Sequence, residues 1–153
     1  MTDTGSQNKP TNWVLVADES RAIVYTRDTS KAPLLELFTM ENPEARKKPG
    51  ERHTDTGGRS FDSHGKGRHT MTKEKSASER QASIRFAKEI SSRINKAVHS
   101  GSCRRFAVIA APRFLGFIRQ SLGTTGSATP ELTIDKDVVG QDAEAIRKLL
   151  IEN

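Results

Sequence analysis

The run Gly57–His69, GGRSFDSHGKGRH, gathers the side chains of this sequence best suited to chemistry. It holds four glycines, three cationic side chains and two histidines in thirteen residues, with Phe61 its only large apolar group. Such a segment has too little to bury to build a core. Glycine lets backbone N–H groups come close to a ligand, and the cations seek phosphate. Arg59, Lys66 and Arg68 suit phosphate neutralisation. Phe61 and His69 suit stacking on splayed bases, the usual way single-stranded or looped RNA is read. Gly57 and Gly58 shape the loop, and Ser60 completes the candidate RNA-binding set.

Other chemistries fit less well. A phosphate-binding P-loop requires GxxxxGK followed by Ser or Thr, a spacing that Gly65-Lys66-Gly67 lacks. His53, His64 and His69 with Cys103 would be four zinc ligands, but they lack the tight pairing of structural zinc sites. Asp18 and Asp135 each follow a strand-like run and would be paired carboxylates for metal-dependent phosphodiester cleavage. Aspartate is also a common turn residue, and that reading is preferred. Ser60 with His64 or His69 has nothing to orient the base. No catalytic residue, metal or cofactor is therefore assigned.

The balance of the chain agrees with an anionic partner. Its 153 residues carry a formal charge of +6. Residues 43–80 hold ten Lys or Arg against six Asp or Glu, so +4 of that excess sits in one stretch. Hydrophobic residues make up 33% and aromatics 5%, enough for one modest core. A lone cysteine excludes a disulfide framework. The first residues show no apolar signal segment, and no stretch is long and apolar enough to span a membrane. A cytoplasmic protein is expected.

The elements that must position the Gly-rich run follow from patterning. Residues 1–11 are polar and expected to be a disordered tail, leaving a single domain over 12–153. Trp13–Ala17, Arg21–Thr26 and Leu34–Met40 read as strands, the first two joined as a hairpin. Residues 43–75 offer only Ala45, Phe61 and Met71 as apolar groups, so a long flexible basic loop is expected there. Ser76–Glu79 reads as a capping box. Phe86, Ile90, Ile94 and Ala97 place one apolar stripe on a helix that Gly101 ends, with Arg80, Arg85, Lys88, Arg93 and Lys96 outward. Phe106–Ala111 reads as a central strand. A short helix follows Pro112, then a strand over Glu131–Asp135 and a last helix capped by Asp142. The fold class is α/β: a mixed sheet flanked by helices, in the order βββαβαβα.

The blocks WVLVADESRAIVY, ENPEAR, GGRSFDSHGKGRH and FAVIAAPRFLGFIR resemble the bacterial host attachment protein family, over essentially all of residues 12–152. That family is in turn similar to the central domain of archaeo-eukaryotic peptide-chain release factors and Pelota, which implies an RNase H-like fold. In the release factors a Gly-Gly-Gln loop precedes a long helix and enters the peptidyl-transferase centre. Gly57 and Gly58 match the two glycines, while Arg59 stands where the release factors have Gln. Arginine offers donors and a fixed charge but no acceptor, so it suits gripping phosphate better than placing a hydrolytic water. The resemblance implies a ribosome- or RNA-binding module without enzymatic activity, acting in rescue, hibernation or translational stress. Phosphate contacts carry no sequence information, so no DNA sequence specificity is expected. The alternatives are a factor that supports attachment to a host or surface indirectly, and a hydrolase of peptidyl-tRNA or nucleic acid.

Overall fold

The computed structural model describes residues 10–45, 65–125 and 128–153, with backbone alone at 65–75 and 124–125. Three strands come first: β1 (Thr11–Ala17), β2 (Arg21–Arg27) and β3 (Leu35–Glu41). Helix α1 (Gly65–Ser100), β4 (Cys103–Ala110), α2 (Pro112–Thr125), β5 (Leu132–Ile134) and α3 (Ala143–Glu152) follow.

The five strands form one sheet in the order β3-β2-β1-β4-β5. β2 lies antiparallel to both β1 and β3, whereas β4 is parallel to both β1 and β5. The central pair is apolar on both faces, as a doubly covered sheet demands. Leu15, Phe106 and Val108 face α1 and α2, whereas Val14, Val16, Ala107 and Ile109 face α3. On the first side Phe86 of α1 stacks on Phe114 of α2, with centroids 5.8 Å apart. On the second side Ile146 and Leu150 are buried, and Leu149 packs at their margin. The result is a single mixed α/β domain with helices on both faces of its sheet.

The predicted apolar stripe holds: Phe86, Ile90, Ile94 and Ala97 are all buried, and Arg85, Lys88, Arg93 and Lys96 are exposed, whereas Arg80, also exposed, lies not outward but on the line of the buried Ala87 and Ile94. Gly101 ends the helix at φ +85°, where a side chain would be strained. Asp142 caps α3 by accepting from the Ala145 N–H at 2.9 Å.

Two expectations are corrected. The flexible loop of 43–75 is too long, because α1 begins at Gly65 and residues 65–75 are helical. Ser76–Glu79 is consequently helix interior and not a capping box. An apolar period reports which face of a helix is buried, and residues 65–75 hold only Met71 as a large apolar group, too few to show one. Extending an existing helix adds one hydrogen bond per residue without a new nucleus, and Lys, Arg, Met and Glu in this stretch are good helix formers. A smaller difference lies at the start of the domain, where Thr11, placed in the tail by its polarity, is the first residue of β1.

Candidate functional site

Because β1, β4 and β5 run parallel, Ala17, Ala110 and Ile134 finish at one end of the sheet. β2 starts there and β3 finishes there, since Arg21 pairs with Glu41. In open α/β sheets this carboxyl end is where ligands most often bind. Here it is also the end at which the chain leaves β3 toward the Gly-rich run.

Asp18 closes the β1–β2 turn. Its Oδ1 accepts from the Ser20 N–H and hydroxyl, both at 2.8 Å, and from the Arg21 N–H at 2.9 Å. Three donors on one oxygen make it a turn residue. Asp135 follows β5, two strand positions away, or about 10 Å across the sheet. No group of three or more His, Cys, Asp or Glu gathers among the described residues. The paired-carboxylate reading therefore loses its first member to the turn.

Glu19 and Asn42 tie the end of the sheet to α1. Glu19 Oε1 accepts from the Ser83 hydroxyl at 2.7 Å, and its Oε2 lies 3.7 Å from Arg113 Nε on α2. Asn42 is buried, and its Nδ2 donates to the Glu19 carbonyl at 3.0 Å and to the Ala82 carbonyl at 3.5 Å. Glu44 accepts from Arg85 Nη2 through both carboxylate oxygens at 2.8 Å. The chain is thus pinned to the middle of α1 as it leaves β3.

Ala82 is the first buried residue of α1 among those whose side chains are described. At 1.5 Å per residue the stretch from Gly65 to Ala82 is about 26 Å long, so the helix runs well beyond the sheet. Lys66, Arg68 and His69 fall in its first two turns; their side chains lie outside the described residues, as do Gly57, Gly58, Arg59, Ser60 and Phe61. Of the proposed zinc ligands, His53 and His64 also lie outside them. Cys103 begins β4 in the core, where burial pushes its thiol up to about 12.

Sequence reading missed Asn42, Ser83, Arg113 and Phe117. Two of them, Asn42 and Ser83, carried a signal. Asn42 precedes Pro43, a turn-initiating pair, and Ser83 is a polar residue in line with Ala87 and Ile90 of the apolar stripe, so it needed a partner. At the outer margin of the two helices, Arg80 and Arg113 place their guanidinium carbons 5.5 and 5.6 Å from the Phe117 ring centroid. Arg93 lies 4.0 Å over Phe38, which meets Trp13 edge-on.

A single mixed-sheet domain with a long helix carried past the carboxyl end is the architecture that frames these residues. The sequence matches the family described as "Protein required for attachment to host cells" over residues 13–150, and the chain belongs to that family. No protein of curated function matches it. No helix among the described residues is long and apolar enough to cross a membrane.

Proposed function

We propose that this protein is a non-enzymatic RNA- or ribosome-binding module of the cytoplasm, acting in ribosome rescue, hibernation or translational stress. The observation that carries the reading is α1 itself. A 36-residue helix extends past its domain, and the GGRSFDSH segment immediately precedes it. A loop carrying two adjacent glycines before a long helix is the arrangement by which release-factor central domains enter the ribosome. The mixed sheet with helices on both faces supports the same likeness and the RNase H-like fold it implies. In this reading Gly57 and Gly58 shape the contact, Arg59, Lys66 and Arg68 hold phosphate, and Phe61 or His69 stacks on a base. Arg59 in place of Gln argues against peptide release, since arginine cannot accept a hydrogen bond from water.

The test is co-sedimentation with intact ribosomes across a salt series, with Arg59→Ala alongside. Salt-sensitive pelleting that the variant loses is expected. Absence of pelleting at low salt would refute the reading. The family description favours a second one, a factor that supports attachment to a host or surface. Protection from added protease in intact cells, with digestion only after lysis, would confine any such role to an indirect one.

A further inference from the structure

Arg80 occupies an unusual position on α1. It lies seven and fourteen residues before Ala87 and Ile94, which are 0% and 1% exposed, and so on nearly the same line of the helix. The stripe that faces the core therefore continues to Arg80, about two turns before Ala87 and beyond the edge of the sheet. Instead of an apolar residue it places a cation there.

That cation shares its partner with another. Phe117 is half-buried, meeting the buried Phe114 edge-on at 6.5 Å, and both Arg80 and Arg113 lie over its ring. Glu19 reaches Arg113 at 3.7 Å while also accepting from Ser83. Among the described residues no carboxylate pairs with Arg80. The two guanidiniums share one ring with Glu19 against only the second of them, which leaves an excess of positive charge that an anion would balance. Each guanidinium is also a flat surface on which a base stacks. Phosphate beside a stackable plane is the chemistry of a nucleic-acid strand with unpaired bases. An acidic peptide would satisfy only the charge.

We infer that Arg80, Phe117 and Arg113 form a preformed platform for the backbone and one base of single-stranded or looped RNA, an inference that rests on the RNA-binding reading above. The platform sits at the root of the projecting helix and extends that contact down onto the folded domain. Arg80 is about 21 Å along the axis from Lys66.

The experiment is fluorescence anisotropy with a labelled oligouridylate over a salt series. It compares wild type, Arg59→Ala, Arg80→Ala, and Arg80→Ala combined with Arg113→Gln, with Lys96→Ala as a distant charge control. On single strands each phosphate contact contributes a salt slope of about −0.7, equivalent to about five-fold in affinity at 0.1 M salt. Arg80→Ala should therefore weaken binding about five-fold. The double variant should weaken it about 25-fold and flatten the slope by about 1.4. Should Arg113→Gln disturb the fold by releasing Glu19, Arg80→Ala alone decides, because among the described residues its guanidinium holds no carboxylate.

Wild-type affinity and slope in Arg80→Ala, with binding lost in Arg59→Ala, would remove the platform and leave the Gly-rich segment standing. The reverse pattern would keep the platform and remove the segment. No binding by wild type would overturn both. Displacement of the RNA by polyglutamate at equal concentration would overturn the nucleic-acid assignment in favour of an acidic peptide.

Discussion

Replacing Asn42 isolates the tie between the end of β3 and the middle of α1. Its side chain is 4% exposed, with Nδ2 donating to the carbonyls of Glu19 at 3.0 Å and Ala82 at 3.5 Å. In Asn42→Ala the Ala82 carbonyl keeps its place in the helical ladder, so the loss falls mainly on the Glu19 carbonyl. Stripping a buried acceptor costs about 1–3 kcal/mol, and the Glu19 carbonyl, being only partly buried, should cost no more than about 2 kcal/mol. For a chain of this size about 2 kcal/mol corresponds to a fall in Tm of about 4–8 °C. Asn42→Asp is nearly the same shape but turns an acceptor toward two carbonyl oxygens, so it should be the less stable variant. Its carboxylate regains a donor only when protonated, so its deficit should narrow as pH falls toward about 4. Calorimetric melts of the three proteins, repeated across that pH range, read all of this. A Tm for Asn42→Ala within about 1 °C of wild type, or an Asn42→Asp protein as stable as wild type, would refute the tie.

Two further outcomes follow from residues already placed. Cys103 is buried with its thiol raised to about 12, so a disulfide reagent at about pH 8 should find no reactive thiol until denaturant is added. The same shift sets a sign. Between the unfolded thiol value near 9 and the folded value the native state holds the extra proton, so stability should fall as pH rises through that window, most clearly in urea melts. Burial raises Tyr25 in the same direction. At the β1–β2 turn, Asp18→Ala removes an oxygen that takes three donors and should lower stability by about 1–2 kcal/mol. Asp18→Asn keeps an accepting oxygen and should cost less. RNA affinity in either variant should match wild type; a large loss would return Asp18 to the functional site.

The parts of the fold legible in the sequence are those where burial writes a period. WVLVA and RAIVYT announced strands because β1 and β2 are packed on both sides, and Phe86 to Ala97 announced the packed part of α1. The eleven residues from Gly65 to Lys75 were not legible as helix. Their only large apolar residue is Met71, so no apolar period could mark them as a helix. The site divides the same way. The basic character of α1 could be read from Arg80, Arg85 and Lys88, but the ring beneath Arg80 belongs to α2, and Phe117 looked like one more core residue. Glu19, Asn42 and Ser83 meet from three parts of the chain, a juxtaposition set by sheet order and not by spacing. Gly57–Phe61 lie outside the described residues, so their part rests on the sequence and the binding tests.

The length of α1 has a mechanical consequence. Ala82 divides it nearly in half, with about 26 Å toward Gly65 and about 27 Å toward Ser100. A stiff rod pivoting there has arms of equal length, so a sideways push at the tip is delivered almost undiminished, and reversed, at the buried end. There Ile90, Ile94 and Ala97 press against the sheet, and close packing resists even sub-ångström shifts. Whatever touches the tip exerts a torque on the core, and the pins from Asn42, Glu19 and Glu44 sit at the fulcrum.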